Sequence, residues 1–313
     1  MTKILFLFFL LNLSCGKAED EELPEEPSTP IEQIYDEASE RLVDKFLEND
    51  RVVSRGVDKK PENVGDSLVF SGLALYALPC SMGDRIERQL IHEILTEDGA
   101  LMRHPTLSRD DASLDGALGL YFGIAERIKR CQGSKEAWKP AIKKHLEFVS
   151  SHDLKLNPRS DSKLEKYFDY VLYLLGSELG VKTKPTDDVK TLLSLEIGLW
   201  AKACVVSKKS CFRVHLGLLA LKTIESLGEN IPDPLKIEFC KVTNGIDMPT
   251  VDHYCKRGDL KAWIDEFDYN IWEYRHQRCG QWEKPDANGY ETPALDYLVA
   301  MRTEYSLKKT LKD

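Results

Sequence analysis

The chain has no polybasic block, no Cys-x-x-Cys pair and, past residue 15, no apolar run long enough to cross a bilayer. Each absence excludes a class. The 43 Lys and Arg against 52 Asp and Glu leave a net charge of −9 at pH 7. A surface that neutralises many phosphates is therefore excluded, and nucleic acid is not an expected partner. The cysteines follow no zinc-ligand spacing, Cys204 and Cys211 being seven apart and Cys240 and Cys255 fifteen, so neither a metal nor another cofactor is expected. Gly-x-Ser-x-Gly, His-Glu-x-x-His and P-loop patterns are also missing, which removes serine-hydrolase, zincin and nucleotide readings. Nineteen Gly and fourteen Pro in 313 residues exclude a collagen-like or Pro-rich polymer. What remains is 42% apolar, 30% charged and 9% aromatic, the composition of a folded, helix-friendly chain in water.

At the N-terminus Lys3 leads into the apolar stretch Ile4–Leu13, which ends at Ser14-Cys15-Gly16. The stretch is too short for a membrane span and right for a secretory signal. Leu13 and Ser14 ahead of Cys15 resemble the cleavage site of bacterial lipoproteins, although Asn12 stands where Leu is usual. The resemblance implies that residues 1–14 are removed and that Cys15 carries acyl chains on its sulfur and amine. The membrane is then a partner, reached through an N-terminal lipid anchor. Gly16, rather than Asp, after the cysteine implies sorting to the bacterial outer membrane. An ordinary cleaved signal with an incidental Cys15 is the alternative. Residues 15–30 are acidic, Pro-punctuated and nearly free of large apolar groups. Such a segment cannot bury enough surface to fold and reads as a tether.

From Pro30 onward apolar positions recur at three and four residues, as on one face of a helix. Ile31, Ile34, Tyr35, Ala38, Leu42, Val43 and Phe46 make the first such face. Further helices are expected over 67–78, 84–95, 110–128, 135–149, 163–179, 188–206, 212–227, 234–242 and 293–305. Strand-like alternation around hairpin turns is missing, so residues 31–313 read as one all-α domain. Segments such as Phe70–Leu78, Gly116–Ala125, Ile197–Ala201 and Leu216–Leu221 are apolar nearly all round, whereas Asp84–Glu93 and Trp138–Leu146 are strongly amphipathic. The first kind is expected inside and the second outside. Glycine within a helix costs about 0.8–1.0 kcal/mol relative to alanine. Gly72, Gly119, Gly123, Gly198 and Gly217 therefore point to close helix approach. Alternating inner and outer helices predict an α/α toroid, a six-hairpin-like barrel, with an irregular helical bundle as the alternative.

The densest chemistry lies in Gly99–Gly116, where a loop with Arg103, His104 and Pro105 runs through Ser108-Arg109-Asp110-Asp111 into a buried helix. Ser108 as N-cap with Asp111 three residues on is one account of the cluster, a capping box with Asp in place of Glu or Gln. A ligand site is the other, because a cation such as Arg109 is unfavourable at a helix N-terminus. The carboxylates Asp110, Asp111 and Asp115, a helical turn apart, also have the spacing of a divalent-cation cluster, a single copy of which in an exported protein points away from that use. The Arg-His-Pro loop followed by Ser-Arg-Asp resembles a segment of poorly characterised bacterial and phage proteins of the six-hairpin, α/α-toroid type. Trp272-Glu273-Tyr274-Arg275, Trp282-Glu283 and Asp296-Tyr297-Leu298 resemble later segments of the same group. Relatives of this architecture include glycoside hydrolases and polysaccharide lyases, so the resemblance implies a glycan site in the funnel at one end of the inner helices.

Glycoside cleavage needs two carboxylates across the scissile bond, whereas lysis of a uronate chain needs a base and a cation for the sugar carboxylate. Asp110, Arg109, Glu273 and His104 are the candidate catalytic residues, and Asp111, Glu196, His253, Trp272, Arg275 and Trp282 the candidate glycan-binding ones. Glu196 and His215 sit in otherwise apolar helices, where a lone polar group is as readily a satisfied core residue. The expectation is a lipid-anchored envelope protein that binds a carbohydrate polymer and has groups suited to cleaving it. A non-catalytic envelope scaffold is the alternative. Export also makes disulfides permissible, and Cys204 and Cys211 are expected to pair across the short turn between them.

Overall fold

The structure, a computed structural model, describes residues 30–55, 60–62, 64–107, 113–153, 155–156, 166–181, 212–244, 249–256, 295 and 298–303. These residues are predominantly helical. The helices are α1 (Pro30–Phe46), α2 (Ser67–Ala77), α3 (Cys80–Glu93), α4 (Leu114–Arg130), α5 (Ser134–Ser151), α6 (Lys166–Glu178), α7 (Phe212–Ser226), α8 (Asp233–Val242) and α9 (Pro249–Tyr254). Residues 298–303 are helical as well. No helix among the described residues is long and apolar enough to cross a membrane.

Every residue of α2 is buried, and α4 is buried along most of its length. In α3 only Gly83, Ile86, Glu87 and Leu90 are. The apolar and the amphipathic segments thus divide into core and flank as their periodicity requires. The core forms where α2 meets α4. Gly116 lies beneath Leu68, Gly119 beneath Val69 and Gly123 beneath Leu75, so the two helices run in the same direction. A methyl group on Gly72 would collide with the backbone carbonyl of Gly119, and one on Gly123 with the carbonyl of Gly72. Backbone touches backbone here, which is the close approach that these glycines predict. Gly198 lies outside the described residues.

Two helix starts differ from expectation, and one short helix was not expected. The helix expected from Asp110 starts at Leu114, with Ser113 extended at its N-cap and the Ser113 Oγ accepting from Gly116 N at 3.3 Å. The capping role assigned to Ser108 therefore belongs to Ser113, the polar residue that immediately precedes the buried run, with Asp115 on the favourable end of the dipole. Helix α3 starts at Cys80, four residues before Asp84, because Pro79 at its N-cap needs no N–H bond. The six-residue helix α9 is too short to show a periodicity.

A small β component was not legible as alternation. Strands β1 (Leu47–Glu48) and β2 (Arg51–Val52) form an antiparallel hairpin across Asn49 and Asp50, both at positive φ. Asn and Asp tolerate that conformation as the turn requires, but strands of two residues carry no period. Strands β3 (Ser54–Arg55) and β4 (Pro61–Glu62) pair in the same sense.

Two disulfides occur among the described residues, Cys80–Cys131 and Cys240–Cys255. The first joins the start of α3 to the end of α4, and the second joins α8 to the residue after α9. Cys204 and Cys211, expected to pair, lie outside the described residues, as does Cys15.

Candidate functional site

At the N-terminal ends of α2 and α4 the first hairpin, the end of α3 and the Arg103–Leu107 loop meet. The Val52 amide donates to Ser71 Oγ at 2.9 Å, which fastens β2 to the buried helix α2. This places Arg51 beside Glu93, the last residue of α3, with Arg51 Nε donating to Glu93 Oε2 at 3.3 Å. The loop is set by pairing of Leu101 with Leu95 and by the Met102 amide on Ile94 O at 2.7 Å. Arg103 then turns onto the start of α2, donating to Gly65 O and, at 2.9 Å, to Asp66 Oδ1.

Arg51 is 1% exposed, and Nη1 and Nη2 are both buried without a hydrogen-bond acceptor. Burial lowers its pKa while Glu93 opposes the shift, and a guanidinium stays charged in either case. A buried cation whose terminal donors face no acceptor carries an unmet demand for an oxyanion. His104 lies close enough for the charge on Arg51 to act on it. Burial first and Arg51 second hold its pKa below the usual histidine value, with Glu93 working the other way. The ring is therefore neutral at pH 7. Its Nδ1 accepts from the Thr106 amide at 3.2 Å and lies 2.7 Å from Thr106 Oγ1. In that arrangement Nε2 carries the proton. With the Nδ1 proton directed to Thr106 Oγ1, Nε2 instead offers a lone pair.

Of the residues singled out by sequence, His104 falls in this cluster. His253 is on α9, whose Tyr254 ring lies by Lys222 together with Tyr76 near the end of α2, so it belongs to the opposite end of the core. His215 is buried in α7. Arg109, Asp110, Asp111, Glu196, Trp272, Glu273, Arg275 and Trp282 lie outside the described residues. Sequence reasoning missed Arg51, Glu93 and Asp66. The available signal was the turn-forming pair Asn49-Asp50 followed by an arginine leading into Val52-Val53.

A second buried guanidinium shows what a satisfied one looks like. Arg127, on α4, donates from Nε and Nη2 to Glu87 Oε2 at 3.2 and 2.6 Å, from Nη2 to Asp84 and from Nη1 to Cys80 O at 2.9 Å. Ser134 Oγ and Trp138 Nε1 complete the shell of Glu87, at 3.0 and 2.7 Å. This is a brace between α3, α4 and α5, adjoining the Cys80–Cys131 disulfide. Among the described residues no group of His, Cys, Asp and Glu has an arrangement able to hold a metal ion.

Comparisons of the chain with protein-family models, with curated proteins and with solved structures return no match.

Proposed function

We propose that this is a lipid-anchored envelope protein whose helical domain, arranged as an α/α toroid, binds an acidic carbohydrate polymer at the N-terminal ends of α2 and α4. The observation that carries the reading is the Arg51 guanidinium, fully buried and with both terminal nitrogens lacking an acceptor. A uronate carboxylate matches that pair of donors in a bidentate way, which a neutral sugar does not. Both nitrogens are shielded from solvent, so the ligand enters over the partly exposed Glu93 and His104 and displaces the Glu93 carboxylate from Arg51.

The same residues suit β-elimination. Pairing of the uronate carboxylate with Arg51 stabilises the charge that develops when the proton on the adjacent carbon is removed. His104, neutral and in the tautomer whose Nδ1 proton is directed to Thr106 Oγ1, offers Nε2 as the base for that proton. The electron pair forms the new C=C bond as the glycosidic oxygen leaves and takes up the proton held by His104, which gives an unsaturated product and an alcohol and returns the ring to its neutral form. The exported address is supported by the two disulfides, since such bonds persist in oxidising compartments. The scaffold alternative draws support from the Arg103–Asp66 pair, which braces the loop against α2.

The test is to screen the purified protein against polygalacturonate, alginate and hyaluronan, with neutral glucan as control, following both binding and ultraviolet absorbance of unsaturated ends. Binding of an acidic polymer that Arg51→Met abolishes supports the reading. Equal affinity for neutral and acidic polymers, or no binding to any, overturns it.

A further inference from the structure

Where α6, the end of α7 and the start of α8 come together, a cleft opens at the surface, with about 300 Å³ of space counted to its mouth. Tyr170, Ile224, Ile231 and Leu235 are its buried walls, and the half-buried Glu229 lies at the rim beside the exposed Asn230. The turn that carries the rim is fixed at both ends. Helix α7 closes with Gly228 at a φ of 85°, the Gly228 amide on Glu225 O at 2.9 Å and the Glu229 amide on Ile224 O at 3.2 Å, a left-handed ending that glycine adopts without strain. Helix α8 opens on Pro232, whose carbonyl accepts from the Leu235 amide at 2.9 Å. A cleft held in this way is formed before any ligand arrives, as small-molecule sites usually are.

The chemistry of the cleft is one-sided. Its walls are hydrocarbon apart from the Tyr170 hydroxyl, and of the lining residues only Glu229 is charged. Burial first and the Glu229 charge second raise the Tyr170 pKa, so the carboxylate acts on the ring that walls the cleft. The last carbonyls of α7 add partial negative charge from the helix dipole. Lys236, the neighbour of Leu235 in sequence, is committed to Glu225 Oε1 at 2.6 Å. An apolar cleft beneath a carboxylate, an aromatic ring and a helix C-terminus favours a guest with a hydrocarbon body and a positive head, and disfavours an anion. A sugar ring, with a hydroxyl on nearly every carbon, loses hydration against isoleucine and leucine walls that return no hydrogen bonds.

We infer that this cleft is a binding site for a small aliphatic ammonium ion, with its hydrocarbon part against Ile224, Ile231 and Leu235 and its head between Glu229 and the Tyr170 ring. The space available is at the lower end of the roughly 300–1,000 Å³ of small-molecule sites, and part of it is the mouth, which restricts the guest to a few heavy atoms. The N–H groups of the head donate to the Glu229 carboxylate, a charge-assisted contact that a neutral alcohol of the same shape does not make. No group at the Arg51 end takes part, so this inference is independent of the glycan reading.

The test takes the full chain with labelled isoleucine δ1-methyl groups and titrates it at pH 7.5 with isobutylamine and, separately, with isobutanol and isobutyrate, which keep the shape and change the charge. Saturable methyl shifts are expected at Ile224 and Ile231, on the cleft, and not at Ile86 and Ile142, which are buried away from it. Isobutylamine is expected to bind at least about threefold tighter than isobutanol, the gain a partly exposed ion pair gives, with isobutyrate weakest. Glu229→Gln removes that preference. A smaller preference for the amine, no saturable shift at either cleft methyl, shifts at Ile86 and Ile142 instead, or a preference that survives Glu229→Gln overturns the inference. Should the variant fail to fold, the ranking of the three probes at the two cleft methyls of the wild-type chain decides by itself.

Discussion

Arg127 and Arg51 are both buried guanidinium groups in one small helical protein, and their surroundings differ in kind. Around Arg127 four donated hydrogen bonds end on Glu87, Asp84 and a backbone carbonyl, and Glu87 is in turn held by Ser134 and Trp138. Around Arg51 a single bond to Glu93 uses Nε, and the two terminal nitrogens have no acceptor. Desolvation is costly for both, but only the first is repaid within the fold. The difference teaches that a buried charge signals function when its hydrogen-bonding capacity is incomplete, and architecture when it is complete.

The sharpest break of this comparison comes from the brace. Arg127→Met strands Glu87 in the core, and Glu87→Gln weakens the hold on Arg127. Loss of one partner of a buried pair is expected to cost about 3–5 kcal/mol, read as a fall in the urea midpoint. A variant within about 1 kcal/mol of wild type would show that the network is dispensable. Next in size is the neighbouring disulfide. Cys80→Ser with Cys131→Ser opens a loop whose ends are 51 residues apart, with an expected loss of about 2–4 kcal/mol by denaturant unfolding. Any binding of an acidic polymer at the proposed Arg51 site is expected to be unchanged by it.

Two histidines repeat the contrast. His145 is fully enclosed, with Nδ1–H donating to Gly99 O at 3.0 Å and Nε2 accepting from Tyr121 OH at 2.7 Å. Burial lowers its pKa to about 4 from 6.5. The unfolded chain takes up this proton at a higher pH than the folded one does. The stabilisation is therefore complete above about pH 6.5 and fades as pH falls towards 4, by up to roughly 3 kcal/mol. Thermal unfolding across that range should show the slope in wild type and a flatter profile in His145→Gln. A slope unchanged by the substitution would assign it to other groups.

The smallest effect on stability and the largest on binding are expected at Arg51. Because its terminal donors contribute no hydrogen bonds, Arg51→Met should stay within about 1 kcal/mol of wild type in urea unfolding. It should nonetheless weaken binding of an acidic glycan by about tenfold or more in calorimetric titration. Severe destabilisation by this variant would place Arg51 with Arg127 among the braces.

Helix positions were largely legible. Apolar spacing located α2, α5, α7 and α8 to within a residue or two, and the inner or outer character of α2 and α3 followed from how far round the helix the apolar residues extend. Glycines at 72, 119 and 123 announced a close crossing. The site was legible only at His104, through an Arg-His-Pro loop. Arg51 escaped because its partner Glu93 is 42 residues away, and neither residue type is unusual at its place in the chain.

What the sequence determined by itself is the helical class and the division into buried and flanking helices, because both are written in local periodicity. Which charges are satisfied was decided only in three dimensions. Arg127 meets Glu87 from 40 residues away, Tyr76 meets Thr303 from 227, and Lys222 comes to lie by rings on α2 and α9. Periodicity records which face of a helix avoids water. Hydrogen-bond partners and local polarity depend on which faces finally meet, and here the backbone contact of Gly72 with Gly119 and Gly123 sets that meeting.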